Sequence, residues 1–593
     1  MNQEKYSDCL IDWLSDLGYT HCFFLAGGNV MHLLHSASQR MTCVPFSHEV
    51  TAGIAAEYFN ELNQGHEKKA FVLVTAGPGL TNLVTAIAGA YLESRELLIL
   101  GGQVKTQDLS TDALRQRGIQ EVNGSELISS ITKVSETVSE PLSELDFKQL
   151  VSEGFAARKG PVFMEIPLDV QGRSAHETIT RGFELKSIVS EECKVDQSIF
   201  LDLAKSSRPI LLLGGGLSRK FCEDNYSKLQ ELNIPVMTTW NGADRYGSSE
   251  KNYWGRPNTW GQRYSNILIQ QSDFIVAVGT RLGLQQTGFN WENFAPGARI
   301  VQVDIDSAEL QKGHPKVSDP VCLDADQFLG SLLNFLGKND QVNTTWSDWL
   351  KFGQTVKDKL PLSESANKPM AGYINPYDFV IGLSSYLDSS DVVVPSSSGS
   401  SMTVTMQSLL QPRGCRVVTN KSLASMGYGL GGAIGACLST KSRVIHIEGD
   451  GGYLQNIQDL GTMRRQQLPI KTFIFSNGGY ASIRMTQLSY FNGQYVGCDE
   501  ATGLALPNWE LLASSFGVNF YEINPENPFD SEVISRLESP DPEFFLVPIS
   551  QEQTYYPKIT SRVSSSGSME SNPLHLMTPD LDPILFKECY QFH

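Results

Sequence analysis

The chain has 593 residues, 41% hydrophobic and 19% charged, with a net charge of −18. That length predicts about three or four domains with large cores, and the acidic balance without a Lys/Arg-rich run argues against nucleic-acid or anionic-membrane partners. Ten scattered cysteines, with no CxxC and no metal spacing, point to a reducing compartment. The N-terminus lacks a basic stretch before an apolar core, and no apolar run approaches the roughly 20 residues of a membrane helix. The expected location is cytoplasmic, with no membrane contact.

Residues 1–175 read as a first α/β unit. A helix is expected over 6–17 and a strand over 21–25, broken by Ala26-Gly27-Gly28-Asn29. Glu49 stands where Phe46-Ser47-His48 gives way to a small-residue helix over 50–62. The positive helix end would favour its charge, as for any acid opening a helix. A strand over 70–74 turns through Thr75-Ala76-Gly77-Pro78-Gly79 into a helix over 80–91, with Thr81 and Asn82 in its first turn. Such a turn can hold an anion or simply pack. A strand over 97–100 runs into Gly101-Gly102-Gln103-Val104, a polar loop carries Leu114 and Arg115, and residues 160–167 form the last strand.

Residues 176–192 are polar and read as a linker. The unit over 193–338 has strands at 209–213, 274–278 and 300–303, which end in Gly214-Gly215-Gly216, Gly279-Thr280-Arg281 and Asp304-Ile305-Asp306. This is a Rossmann-like pattern, but three glycines do not establish a dinucleotide site. Residues 339–372 read as a second linker. The third unit, 373–552, opens with a strand over 391–394 and the run Pro395-Ser396-Ser397-Ser398-Gly399-Ser400-Ser401. Its hydroxyls and N–H groups suit a diphosphate, or else it is a flexible loop. Ser425-Met426-Gly427 precedes a Gly/Ala-rich helix. Residues 553–593 form a polar tail, either disordered or a lid; the apolar residues regained near its end suit a lid.

Residues 443–480 are the most informative. A strand over 444–447 breaks at Gly449-Asp450-Gly451-Gly452. Leu454, Ile457, Leu460 and Met463 then predict a helix that ends at Leu468-Pro469, and a strand over 472–475 leads into Ser476-Asn477-Gly478-Gly479. This β-α-β unit puts a carboxylate at one strand exit and a carboxamide at the next. Asp450, Asn477 and a carbonyl of the Gly478-Gly479 turn are the oxygen set that Mg2+ shares with a phosphorylated ligand. Residues 480–495, from Tyr480 on, are expected to form a loop facing the same site.

GDG, a helix and Asn after a strand resemble the cofactor motif of the thiamine diphosphate (ThDP) enzymes. The resemblance covers almost the whole chain. It implies three doubly wound parallel-sheet α/β domains in order, pyrimidine-binding (1–175), Rossmann-like middle (193–338) and diphosphate-binding (373–552), followed by the 553–593 tail. It also implies ThDP and Mg2+ as cofactors, with Asp450, Asn477 and Gly479 at the metal. His48-Glu49, Gly53 and Ala55-Ala56-Glu57-Tyr58 are similar to the family segment whose Glu bonds the aminopyrimidine ring and works as a base through it. Thr75, Gly77, Pro78 and Asn82, with Gly27 and Gly28, would lie beside that ring. Gly399, Ser400, Ser401, Ser425, Gly449, Gly451, Gly452 and Tyr480 would surround the diphosphate, and Met426 would wedge under the cofactor.

Within the family the chain most resembles the acetolactate synthase branch. Gly102-Gln103-Val104, then Thr111-Asp112-Ala113-Leu114-Arg115-Gln116, match its GQV and TDAFQE segments, which line the pocket of the reacting carbon. Leu114 replaces a Phe and Arg115 a Gln, and Arg117-Gly118-Ile119-Gln120-Glu121 is also unlike that branch. Gln103 and Arg115 are therefore candidate catalytic-pocket residues beside Glu49, and a guanidinium at 115 suits a more polar or anionic acceptor. The branch binds FAD in its middle domain. Here Gly279-Thr280-Arg281-Leu282-Gly283 lacks that branch's acidic pair and second arginine, which leaves FAD open. The resemblance implies a homodimer or homotetramer with the active site between subunits. It also implies decarboxylation of a 2-oxo acid, pyruvate first, and carboligation onto a second carbonyl. A nucleotide-linked keto sugar as acceptor, a simple decarboxylase, a C–C hydrolase and a non-catalytic homologue are the alternatives; a flavin or nicotinamide oxidoreductase rests on the middle unit alone.

Overall fold

The computed structural model describes residues 4–64, 68–110, 114–182, 195–338, 346–396, 400–563 and 569–592. Three parallel sheets follow one another along the chain. The first contains β1 (Tyr19–Phe24), β2 (Thr42–Pro45), β3 (Lys69–Val74), β4 (Leu97–Gln103), β5 (Val134–Thr137) and β6 (Pro161–Pro167), in the order 2-1-3-4-6-5. The second contains β7 (Pro209–Leu213), β8 (Val236–Thr238), β9 (Phe274–Val278), β10 (Arg299–Asp304) and β11 (Asp319–Cys322), in the order 11-10-9-7-8. The third contains β12 (Val392–Pro395), β13 (Arg416–Val417), β14 (Val444–Gly449), β15 (Ile470–Ser476), β16 (Asn519–Glu522) and β17 (Glu543–Pro548), in the order 13-12-14-15-17-16. Central strands such as Pro209-Ile210-Leu211-Leu212-Leu213 are buried along their whole length. That is what helices on both faces of a parallel sheet produce, and why these strands read as apolar runs rather than alternations.

All three sheets share one device. The chain lays its first two strands side by side and then crosses to the opposite flank of the first. The reversal falls between β1 and β3, between β7 and β9, and between β12 and β14. Crevices outside the carboxyl ends of strands at such reversals are where open α/β sheets bind ligands.

The structure changes four local expectations. The helix expected over 454–468 is broken: a 3-10 segment, Leu454–Asp459, precedes the α-helix Leu460–Arg465. Asn456 leaves helical geometry (φ −139°, ψ 38°) because its side chain donates to the Gly427 carbonyl at 2.7 Å. Residues 481–491, expected as loop, form the helix Ala481–Phe491, which Asn492 ends in the left-handed conformation. The helix expected over 80–91 is two, Pro78–Thr81 and Val84–Glu93. The polar stretch 339–372 contains the helix Ser347–Lys359, which buries Trp349 and Val356. Spaced tryptophans and leucines inside a charged segment were its overlooked signal.

The tail crosses the second and third units. Thr554 and Tyr556 bond Ala366 and Asn367, and the helix Pro583–Cys589 docks near the second sheet. There Gln271 donates to the Cys589 carbonyl and accepts from the Gln591 and Phe592 amides. Phe592 packs edge-on against Trp349 and Phe352.

The first and third units meet through two helices, Glu49–Leu62 and Tyr428–Thr440. Every residue of the first is buried. Glycines set the spacing: a β-carbon at Gly435 would lie 2.0 Å from the Ala55 carbonyl oxygen. Helix propensity alone would make Gly435→Ala stabilising by about 1 kcal/mol. An overlap with backbone that cannot swing aside outweighs that gain, and overpacking costs roughly 1–3 kcal/mol. We expect Gly435→Ala to lower the thermal transition by several degrees in calorimetry. A transition at or above the wild-type temperature would show that the two helices can separate freely.

A buried ionic chain runs along the same seam. Arg95 binds Glu57 at 2.7 Å and the Thr419 carbonyl at 2.7 Å. Arg219 joins Glu61 at 2.9 Å to Asp244 at 2.7 Å, and Asp244 accepts from the Val417 amide at 3.0 Å. Tyr428 donates to Glu57. Burial raises the cost of charging Glu61 and Asp244, but Arg219 and its neighbouring arginines outweigh it and hold both carboxyls below their usual range. No helix among the described residues is long and apolar enough to cross a membrane.

Candidate active site

The reversal point of the first sheet collects most of the candidates from residues 1–175. Gly27, after β1, lies against Thr75, after β3; a β-carbon at Gly27 would come 2.4 Å from that of Thr75. The Thr75 hydroxyl is buried there without a partner among the described residues. Gly77 adopts φ +65°, which permits the turn into Pro78. Gly28 and Asn82 are exposed on the same rim. Glu49 opens its helix almost fully buried, at 4% exposure, and accepts a hydrogen bond from Asn82 at 3.0 Å.

Gln103 ends β4 fully buried. Its amide is already engaged: it donates to the Val122 carbonyl at 2.9 Å and to Glu165 at 3.1 Å, and accepts from the Val104 amide at 2.9 Å. Burial raises the Glu165 carboxyl above its ordinary range, against hydrogen bonds from Thr137 and Gln103. Leu114 and Arg115 are exposed. Their loop is fastened by Glu121, part of the Arg117–Glu121 segment that is unlike the acetolactate synthase branch. The Glu121 carboxylate accepts from the Ser110 amide and hydroxyl and from the Arg117 and Gly118 amides, the last two at 2.8 Å. Burial opposes this, but the four donors win and hold its pKa down at about 2.

The reversal point of the third sheet holds the second group. Asp450 is fully buried. It accepts from the amides of Gly451 (2.7 Å), Asn477 (3.0 Å), Gly478 (2.8 Å) and Gly479 (3.2 Å). Burial nevertheless pushes its pKa up to about 6, the four N–H groups offsetting part of the cost. Asn477 is 2% exposed, and its carboxamide oxygen is buried with no partner among the described residues. Its amide nitrogen donates to the Tyr555 hydroxyl at 3.2 Å. Gly449 and Gly451 flank Asp450 and Gly452 follows, and the Tyr480 ring covers Gly451, where a β-carbon would sit 2.5 Å away. Ser400 and Ser401, after β12, are buried, and Ser400 also meets the Tyr555 hydroxyl. Gly399 lies outside the described residues. Met426 is half-buried beside Ser425, and Gly427 (φ +76°) turns the chain into the next helix.

Sequence reasoning missed several supporting residues. Tyr555 came from a stretch read as tail. Asn456 falls inside the helix that the spacing predicts over 454–468, yet it anchors the Met426-Gly427 turn through the Gly427 carbonyl. Glu448, one residue before the GDG, is fully buried between His446 (3.1 Å) and Ser396 (2.7 Å). A charged residue inside an apolar strand was its one signal. Asp459 accepts from the Ser47 amide at 2.8 Å, so the third unit reaches to within two residues of Glu49. No hydrogen bond among the described residues joins Glu49 itself to Asp450 or Asn477.

The second sheet's reversal point opens into a cavity of about 680 Å³. Gly215, Gly216, Thr280 and Asp304 line one side, and Arg95, Arg158 and Lys421 contribute from the neighbouring units.

Three sheets whose strand order reverses where open α/β sheets bind ligands, and a buried GDG carboxylate near a carboxamide oxygen with no partner among the described residues, define a cofactor enzyme with its outer units paired. Family models match all three units: the thiamine pyrophosphate enzyme N-terminal TPP binding domain over residues 4–127, the central domain over 198–332 and the C-terminal TPP binding domain over 397–544. The chain belongs to the thiamine pyrophosphate enzyme family, and within it to the acetolactate synthase-like enzymes. It is 30% identical over 514 residues to the acetolactate synthase large subunit of Parasynechococcus marenigrum (strain WH8102), covering 84% of this chain and 80% of that protein. It is 27% identical over 579 residues to acetolactate synthase 1, chloroplastic, of Zea mays, covering 94% and 87%. It is also 27% identical over 578 residues to acetolactate synthase, chloroplastic, of Arabidopsis thaliana, covering 94% and 83%. The chain is a ThDP-dependent enzyme of the carboligase and transferase kind.

Proposed function

We propose that this enzyme decarboxylates a 2-oxo acid, pyruvate first, and joins the resulting acyl unit to a second carbonyl compound, with ThDP and Mg2+ as cofactors. One observation supports the metal above others: the unpaired, buried carboxamide oxygen of Asn477 beside the buried carboxylate of Asp450. An orphaned acceptor next to a costly anion is a pair that a cation repays. With one carboxylate in the set, a divalent ion would need the diphosphate oxygens as well. Asp450, Asn477 and a carbonyl at Gly479 would hold it, with Ser400, Gly449 and the Met426 turn around the cofactor. ThDP supplies the carbon nucleophile that accepts the 2-oxo acid.

The chain's own residues supply position and protons. Asn82 orients Glu49 through its 3.0 Å bond, so that the other carboxylate oxygen is left to exchange a proton with a ring nitrogen. Gln103 fixes the β4 exit, and the Glu121 clamp presents Leu114 and Arg115 to incoming substrate. An exposed guanidinium there favours a polar or anionic acceptor, such as a nucleotide-linked keto sugar, as the alternative to a second pyruvate.

Glu49 and Asp450 would then complete one site between two copies of the chain. The absence of a direct bond between them among the described residues and the exposed apolar face of the Ala481–Phe491 helix and its exit support this reading; Leu488, Phe491 and Val496 are 57%, 59% and 74% exposed. The size and position of the middle cavity suit FAD, whose yellow absorbance in purified protein would decide the point. The nine described cysteines are free thiols, in keeping with a cytoplasmic setting.

The deciding experiment gives purified protein ThDP, Mg2+ and pyruvate and follows the products by mass. Acetolactate is the expected product. Acetaldehyde alone would make it a simple decarboxylase, and pyruvate untouched while another 2-oxo acid is consumed would overturn the donor.

A further inference from the structure

A second cavity, of about 450 Å³, lies away from the three sheet crevices. It opens between two short helices after β7, Arg219–Asp224 and Tyr226–Glu231, and the segment 411–416 that leads into β13. Four arginines line it: Arg219, Arg245, Arg413 and Arg416. The first two are neutralised, Arg219 by Glu61 and Asp244 and Arg245 by Asp244. Arg413 and Arg416 have no carboxylate partner among the described residues, and the other acid on the wall is the exposed Glu223.

The mouth is built, not incidental. The Arg413 guanidinium sits 3.8 Å from the centre of the Tyr226 ring, which stacks on Tyr246 with ring centres 5.2 Å apart. A β-carbon at Gly247 would come 2.9 Å from the Tyr226 hydroxyl and 3.5 Å from the Arg413 amide. Gly414, at φ +89°, turns the chain between the two arginines and packs against Ser389. Two uncompensated guanidiniums and an aromatic wall in a chain of net charge −18 are placed against the chain's own electrostatic trend.

We propose that this cavity binds a phosphorylated small molecule, its phosphate oxygens held by Arg413 and Arg416 and its organic part in the remaining volume of the cavity. Guanidinium forks match phosphate oxygens two at a time, as ammonium groups do not. The volume exceeds that of a lone phosphate and is below that of the middle cavity, which suits a phosphate ester of modest size. The inner wall is Asp244–Arg219, the start of the ionic chain that reaches Tyr428 through Glu61, Arg95 and Glu57. Tyr428 follows the Met426-Gly427 turn by one residue, so an anion in the cavity pulls on charges that end beside the proposed cofactor site.

The test is calorimetric binding of ribose 5-phosphate and of inorganic phosphate to holoprotein already saturated with ThDP and Mg2+. We expect one saturable site per chain for ribose 5-phosphate, with a Kd below about 1 mM. The Arg413→Gln/Arg416→Gln double variant should bind at least about tenfold more weakly, the cost of losing charge-assisted bonds. Arg281→Gln, at the middle cavity, should leave binding unchanged. Circular dichroism and pyruvate turnover without added phosphate ester check that the double variant is folded, and Arg416→Gln alone serves if it is not. Absence of saturable binding by both probes, or equal binding by wild type and the Arg416 variant, would overturn the proposal.

Discussion

Replacing Glu49 by Gln is expected to cut pyruvate consumption by about 10²- to 10⁴-fold, the usual contribution of a positioned proton-transfer group. The variant should keep its fold, because Gln has the same shape and its amide oxygen can still accept from Asn82. It should also keep most of its ThDP affinity, because the proposed diphosphate and metal contacts lie on the other group of residues. The loss therefore belongs in kcat, with little change in the ThDP concentration needed for half-saturation. Steady-state kinetics at graded ThDP separates the two. Equal kcat in wild type and variant would remove Glu49 from the chemistry and return it to an ordinary helix-opening acid.

Asp450→Asn should fail differently. Four backbone N–H groups point at the native carboxylate. An amide nitrogen in place of one oxygen would face at least one of those donors and leave it unpaired, which costs about 1–3 kcal/mol. The variant also loses the only anion in the proposed Mg2+ set, and ThDP affinity should fall about a hundredfold or more. Chelation gives the companion measurement. Adding ThDP with Mg2+ should raise the thermal transition of the wild type, because a ligand that binds only the folded state stabilises it. EDTA should abolish that rise, and Asp450→Asn should show none in the first place. A variant that is stabilised by Mg2+ as strongly as wild type would place the metal elsewhere.

How much of this was readable beforehand depended on the range of the interaction. Strands 209–213 and 274–278 were legible to the residue, because a strand buried on both faces is a bare apolar run between breakers. Asp450 and Asn477 were legible because each sits at a strand exit. Their burial, the four-amide cradle and the orphaned Asn477 oxygen were not, since all three depend on how β14 and β15 come together. Asn456 looked helical because local spacing favours a helix; a bond to Gly427, twenty-nine residues earlier, overrode it. Tyr555 and the docked end of the tail were unreadable for the same reason, as their partners lie far back in the chain. The exposed apolar residues of the Ala481–Phe491 helix obscured its period, since they do not face the core of their own chain.

The helix Glu49–Leu62 has no free face, and this limits how the protein can be taken apart. Its own unit covers one side, and Gly431, Gly432 and Gly435 of a unit almost four hundred residues further on close against Thr51, Ile54, Ala55 and Tyr58 on the other. A truncated N-terminal piece would present the Ile54, Ala55 and Tyr58 face of this helix to water, with Arg95 left as the partner of Glu57 and Glu61 once Tyr428 and Arg219 are gone, and would be recovered as aggregate. Neither outer unit could readily have been traded, one at a time, between chains of different ancestry. Gene fusions and expression trials face the same limit: the two outer units have to be produced together.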